Sequence, residues 1–230
     1  MIRRPRHEFA GATLRRALAL LVLSATAVFA QHPAPRFLYI YRDSVKSGVD
    51  SAYRAIENDG AQICADLKCP NPYVALESLS GPHEVYWLNA FATPADTARV
   101  AKVYATNRPL MDALGLVAKR KEGMIGTPVQ ALGVYRPNLS RGPAWSVARA
   151  RYMLVYSTRS RKPTDGSVWE LPDSTLLVFR PMRTAEEARA LATTGNARAF
   201  AVRPNWSMPA PEWIAADPDF WRLAPARNKP

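Results

Sequence analysis

The pentapeptide Arg136-Pro137-Asn138-Leu139-Ser140 returns as Arg203-Pro204-Asn205-Trp206-Ser207, each time directly after a short apolar run. A pattern that recurs in the same setting predicts a chain built from two related halves, and it restricts the fold to one that can be assembled twice. Other blocks obey the same rule. Arg36-Phe37-Leu38-Tyr39-Ile40-Tyr41 matches Arg151-Tyr152-Met153-Leu154-Val155-Tyr156 at an offset of 115, and the passage from Tyr86 to Asp96 matches Leu177 to Glu187 at an offset of 91. The later half is therefore 24 residues shorter between those blocks. The missing interval is helical in the first half, and in the second it holds the turn-rich basic segment Arg159 to Gly166. At the Arg-Pro-Asn motif the offset has fallen to 67, so the second helix of the later half is shortened too.

Periodicity supplies the elements. Phe37 to Arg42 is rich in aromatic and β-branched residues and predicts a strand closed by Asp43-Ser44. Ser47-Gly48-Val49-Asp50 has the spacing of a capping box, and Val49, Tyr53, Ile56, Ile63 and Leu67 share one helical face, which predicts a helix to about Leu67. Tyr73 to Leu79 and Val85 to Phe91 form a hairpin around Ser80-Gly81-Pro82-His83. Thr93-Pro94-Ala95-Asp96 starts a second helix, which Pro109 kinks or breaks. Ala131 to Tyr135 is the last strand of that half. Strand, helix, strand, strand, helix, strand is the split βαβ order of ferredoxin-like domains. In the second half the strands are Tyr152 to Thr158, Val168 to Leu171, Thr175 to Phe179 and Phe200 to Val202. A helix from Thr184 has Glu187 and Gly195 at its caps, and a short helix lies between Pro211 and Phe220. The expected fold class is α+β, with a first half over 31–140, a degenerate half lacking its first helix over 141–210, and a short helix and tail over 211–230.

Met1 to Ala30 has the order of an export signal: Arg3, Arg4, Arg6, Arg15 and Arg16, then Ala17 to Leu23, then Val28-Phe29-Ala30 before Gln31. Its apolar stretch falls short of the ~20 residues that span a bilayer, so no stable span is expected after cleavage. Removing it leaves 26 Lys and Arg against 18 Asp and Glu, a net charge of +8. These charges, Lys119-Arg120-Lys121 among them, are scattered and accompany no nucleic-acid docking motif, and they are expected on solvated faces. The expected location is periplasmic or secreted, in a bacterium, with no nucleic-acid partner.

In an exported chain Cys64 and Cys69, the only cysteines, invite a disulfide. The loop is small, and its chain-entropy contribution is ~2 kcal/mol. The bridge requires the helix to end between the two residues; the other reading is a pair of small apolar residues at a helix end.

Two ferredoxin-like halves with Tyr-rich first strands, and Leu76-Glu77-Ser78-Leu79-Ser80-Gly81-Pro82 ahead of the hairpin partner, resemble the dimeric α/β-barrel superfamily, near its NIPSNAP-like and antibiotic-biosynthesis-monooxygenase-like groups. The resemblance implies two face-to-face sheets around a ligand pocket, formed here by the halves of one chain acting as a pseudo-dimeric monomer or as a homodimer. If Leu38, Ile40, Leu88 and Ala90 lie under the helices, alternation sends Tyr39, Tyr41, Trp87 and Asn89, with Tyr156 and Arg180 from the second half, into that pocket. The same aromatics serve equally as filling between the halves.

No metal or cofactor is expected. His7 belongs to the signal, His32 to a Pro-flanked terminus and His83 to a turn, too few and too scattered for a metal set or a triad; haem on His83, as some barrel relatives carry haem, meets the same objection. Asn138 and Asn205 head sequon-like triplets but read as turn residues after strands. Two function classes remain: a non-catalytic protein that binds a small apolar or aromatic molecule or serves as a scaffold, and a cofactor-independent monooxygenase acting on an aromatic or quinol substrate. N-terminal sequencing of protein from the envelope fraction should return a chain beginning near Gln31; intact Met1 would refute the export reading.

Overall fold

The structure is a computed structural model that describes residues 34–142, 145–193 and 196–225. The signal-like segment, Gly195 and the last five residues lie outside the described residues. In chain order the elements are β1 (Phe37–Ser44), α1 (Asp50–Asp66), β2 (Val74–Ser78), β3 (Glu84–Phe91), α2 (Pro94–Thr106), α3 (Arg108–Arg120), β4 (Val129–Tyr135), β5 (Ser140–Arg141), β6 (Tyr152–Thr158), β7 (Thr164–Asp165), β8 (Ser167–Glu170), β9 (Leu176–Met182), α4 (Ala185–Ala192), β10 (Arg198–Val202), α5 (Pro211–Ala216) and α6 (Pro218–Trp221).

Eight strands close into an antiparallel barrel in the order β1-β3-β2-β10-β6-β9-β8-β4, and β5 and β7 form a small separate ladder. Residues from β4-β1-β3-β2 and from β10-β6-β9-β8 both point into its interior. Leu38, Ile40, Leu76 and Leu88 meet Met153, Val155, Trp169, Phe179 and Phe200 there in one continuous core. Trp145 packs edge-on to Trp169 and Phe179 at 5.9 and 6.0 Å, and Trp213 and Trp221 from α5 and α6 join the same cluster. Where the resemblance implies a pocket between two sheets, the described side chains fill the barrel, as they do in small closed barrels.

This corrects the expected orientation of the strands. Leu38, Ile40 and Leu88 face the interior, not the helices. Both halves of the sheet share that interior, so it is the larger apolar volume and takes the aliphatic side of each strand. Tyr39, Tyr41, Trp87, Asn89 and Phe91 therefore stand on the outside, beneath α1, α2 and α3.

The registers of the two strand sets run in step. Ile40 faces Leu88 and Val155 faces Phe179; Tyr39 faces Asn89 and Leu154 faces Arg180. Leu38 faces Gly133, and Met153 faces Phe200. Where the sets meet, strand pairing is short. Val134 and Tyr135 face Glu170 and Trp169 along one seam, and Phe200 to Val202 face Ser78 to Leu76 along the other. At the first seam the backbones come so close that a Cβ on Gly133 would lie 3.0 Å from Trp169 Cβ.

The Arg-Pro-Asn-x-Ser segments complete both seams. Each turns through a 3-10 helix, Pro137–Leu139 or Pro204–Trp206. Arg136 N donates to Val168 O at 2.9 Å and Arg203 N to Ala75 O at 2.9 Å. Ser140 Oγ accepts from Val168 N at 3.0 Å and Ser207 Oγ from Ala75 N at 2.9 Å. The same hydroxyls donate to Arg136 O and Arg203 O, at 2.8 and 2.7 Å. The guanidiniums then reach acids on the facing strands, Arg136 to Glu170 and Arg203 to Glu77. Each serine thus takes the place of the next ladder carbonyl, so the strand's buried N–H is not left orphaned.

Local signals hold with two exceptions. Thr93 and Asp96 make the capping box of α2, and the helix breaks at Asn107, whose side chain accepts from Leu110 N and restarts it as α3 ahead of Pro109. The C-terminal helix likewise divides at Asp217. Ser47 to Asp50 is not a capping box: the N-cap is Val49 and no side chain caps it, because Asp50 is bound to His83. His83 is not an exposed turn residue either. Its side chain is 15% exposed, with Asp50 at Nδ1 and Glu77 Oε1 3.0 Å from Nε2. Leu139 packs on Val168, Leu176 and Val178, and Thr164 of β7 bonds Tyr156 at 2.7 Å.

Ser207→Ala leaves the fully buried N–H of Ala75 without its acceptor and should lower unfolding free energy by about 1–3 kcal/mol in urea titration. Ser160→Ala, on an exposed turn, should stay within about 0.5 kcal/mol.

Candidate functional site

A cavity of about 970 Å³ lies between the outer face of β1 and β3 and the three helices α1, α2 and α3. Alternation along the strands brings Tyr39, Tyr41, Trp87 and Asn89 to its floor, and Gly60, Ala61, Ala98 and Ala101 keep the helices small where they face it. These are small residues at helical spacing, and they leave the space that larger ones would fill. The lining also includes Tyr73, Phe91 and Tyr104. Such a wall is mostly apolar and aromatic with few polar groups, the composition of small-molecule sites.

The polar groups are placed unevenly. Tyr39 donates to Gln130 Oε1 at 2.7 Å, and Tyr41 packs edge-on to Trp87 at 5.5 Å. Asn89 lines the cavity and is only partly buried, free to bond a guest. At one end, Lys121 Nζ lies 3.2 Å from Asp43 Oδ2 and 3.0 Å from Glu57 Oε1, with Tyr53 OH donating to Asp43 Oδ2 at 3.0 Å. The ammonium also sits 5.0 Å from the centre of the Trp87 ring. Asp43 and Glu57 are 0% and 5% exposed. Although Glu57 Oε1 is near the ammonium, it lacks an aligned hydrogen bond, as does Asp43 Oδ1.

Burial sets the protonation of this group. It raises the Glu57 pKa above the ordinary 4.5; Lys121 pulls it down and Asp43 pushes it up, with a net rise. Burial alone would lower the Lys121 pKa, but Glu57 and Asp43 outweigh it and hold the ammonium charged. Tyr53 and Tyr73 are pushed strongly upward, first by burial, and stay neutral.

Of the residues chosen from sequence, Tyr39, Tyr41, Trp87 and Asn89 come together here. Tyr156 and Arg180 do not: they lie on the second strand set, Tyr156 bonded to Thr164 and Arg180 3.6 Å from Asp165. Alternation groups them with the others only if all six face one shared space, and the cavity lies outside the barrel on the β1 and β3 side alone. Cys64 lines the cavity and is bonded to Cys69. α1 ends between them, with Lys68 in the left-handed region at φ 58°. Sequence reasoning missed Asp43, Glu57 and Lys121. Lys121 is not solvated but 8% exposed. Glu57 carried a usable signal, since it sits four residues after Tyr53 and three before Gly60, inside the buried stripe of α1.

Among the described residues no His, Cys, Asp and Glu cluster fit for a metal occurs, and no helix is long and apolar enough to cross a membrane.

No protein-family model matches the chain, and no curated protein matches it. Solved structures similar to it include a candidate monooxygenase from Fusobacterium nucleatum, 9% identical over 76% of this chain and 94% of its own, with a TM-score of 0.43. A candidate monooxygenase from Lactobacillus acidophilus is 8% identical over 80% and 88%, with a TM-score of 0.42. A NIPSNAP family protein from Agrobacterium tumefaciens is 13% identical over 46% and 90%, with a TM-score of 0.36.

Because the folded-state pKa of Glu57 is raised, its contribution to stability is complete below its ordinary value of 4.5 and is lost as pH rises through the folded-state value. Glu57→Gln removes that loss. The unfolding free energy of the variant, relative to wild type, should climb with pH across this window and then level off; a difference independent of pH would show that Glu57 is not the titrating acid.

Proposed function

We propose that the chain is an exported, non-catalytic small-molecule-binding protein whose ligand lies beneath α1, α2 and α3, against Tyr39, Tyr41, Trp87 and Asn89. The observation that carries this reading is the cavity itself: about 970 Å³ with aromatic walls, an amide left to bond and a charged end. Apolar contact supplies affinity, and Asn89 fixes orientation. Export is supported by the basic, apolar, small-residue order of Met1 to Ala30 and by the Cys64–Cys69 bond, since disulfides persist in oxidising compartments. We take the chain to be two ferredoxin-like halves, 31–140 and 141–210, joined as a fused dimeric α/β barrel. The support is the shared register and the two seam segments. A pseudo-dimeric monomer follows most simply from that arrangement, with a homodimer as the alternative.

One observation favours a second reading. A buried carboxyl with a raised pKa beside an aromatic cavity is suited to removing a proton from a phenolic hydroxyl. That would fit a cofactor-independent monooxygenase acting on an aromatic or quinol substrate. Oxygen uptake with hydroquinone separates the two readings.

The binding reading is tested with the neutral fluorescent probe N-phenylnaphthylamine. Ala101 is exposed on α2 and faces the cavity, so Ala101→Trp should fold normally, obstruct the space and abolish probe fluorescence. For the ligand that copurifies, identified by native mass spectrometry, Asn89→Leu should weaken binding about three- to tenfold, the worth of one hydrogen bond. Unchanged affinity in both variants would place the ligand elsewhere.

A further inference from the structure

We infer that the cavity is built for an amphipathic monocation, an amine or quaternary ammonium on an apolar body, whose positive head sits beside Glu57. The inference rests on the binding reading above and adds the charge of the ligand to it.

The reasoning is a charge balance. Two carboxylates, Asp43 from β1 and Glu57 from α1, face one ammonium, Lys121 at the end of α3. The other titratable groups around them are the neutral hydroxyls of Tyr41, Tyr53, Tyr73 and Tyr104. Nearby cations are engaged elsewhere: Arg120 pairs with Asp59 at 2.8 Å, while Arg54 and Arg203 hold Glu77. His83, 5.9 Å from the Tyr53 ring, lies between Asp50 and Glu77. With every acid ionised the buried group is one positive charge short. Without a ligand, burial foremost, with Asp43 adding to it and Lys121 opposing it, raises the Glu57 pKa, so this carboxyl keeps a proton to higher pH than an exposed one.

An incoming cation can take that proton's place. Glu57 is 5% exposed and lines the cavity, and its Oε1 sits 3.0 Å from Lys121 Nζ without an aligned hydrogen bond, so the ion pair leaves it able to meet a second cation. The rings of Tyr41, Tyr73, Phe91 and Tyr104 line the same space and present the aromatic surroundings that favour a desolvated cation. An anionic head would do the opposite, adding negative charge to a group already short of positive charge. Cation binding should therefore release a proton from Glu57 and tighten as pH rises through the Glu57 transition.

Three ligands with one body and different heads make the test: phenylbutylammonium, phenylbutanol and phenylbutanoate, titrated by calorimetry into the full-length mature chain. Titrations in two buffers of different ionisation enthalpy count the protons released. The ammonium should bind at least about tenfold more tightly than the alcohol, release up to one proton per ligand below the Glu57 transition, and outrank the carboxylate by more. Glu57→Gln should bring the ammonium-to-alcohol ratio close to one and abolish proton release, with far-UV circular dichroism reporting whether the variant is folded. Should all three ligands bind alike, or the carboxylate bind best, the charge assignment fails and the cavity reading stands. If none binds, and N-phenylnaphthylamine does not bind either, both fail.

Discussion

Two serine hydroxyls, each accepting a strand N–H and donating to a carbonyl of its own turn, close a barrel that backbone pairing alone leaves short. A ladder that ended at Val134–Tyr135, or at Phe200–Val202, would leave buried amides of the facing strand without partners. The Arg-Pro-Asn-x-Ser turn meets that need within one short segment, and its arginine adds a charge-assisted bond to a carboxylate of the facing strand, partly buried Glu170 at one seam and buried Glu77 at the other. Glu77, 0% exposed, receives Arg203, Arg54 and His83 together. A carboxylate at that depth is tolerable only because it is fully engaged, and removing one partner is costly for the same reason.

The rest of the architecture follows from closure. A closed barrel has one interior, filled from both strand sets by Leu38, Leu88, Met153, Trp169 and Phe179. The opposite faces of the strands must then be covered separately. On β6, β8 and β9 a few compact elements suffice: the 3-10 turn at Leu139, the β7 ladder and α4. On β1 and β3 three helices stand over bulky aromatics, and the small residues Gly60, Ala61, Ala98 and Ala101 leave part of the space between them unfilled. The cavity is the space this mismatch leaves.

The elements were legible in the sequence because they depend on local chemistry. Pro109 marks a break in a helical stripe, and Thr93 with Asp96 marks the start of one. The direction each strand faces was not legible. Alternation separates Leu38 and Ile40 from Tyr39 and Tyr41, but it carries no sign, and only the closing of the barrel decides which side is inside. The charged end was hidden for a related reason. Asp43, Glu57 and Lys121 are brought together from three elements, and Lys121 sat in a basic triplet that looks solvated at the level of composition. His83 likewise depends on Asp50 and Glu77, one on a helix and one on a strand, whose meeting no local pattern announces.

α2 contributes much of the cavity wall, yet only Val100 of its thirteen residues is buried, whereas α1 buries seven of its own. Shifting α2 would therefore uncover little apolar surface and would leave both seams and the filled interior intact. Local openings of this kind are drawn from the least-packed elements of a fold. Of the elements around the cavity, α2 is thus the one least fixed by the rest of the fold, and the volume beneath it is the part of the wall that the barrel does least to define. The floor is the opposite case, because β1 and β3 are paired with each other from end to end and closed into the barrel.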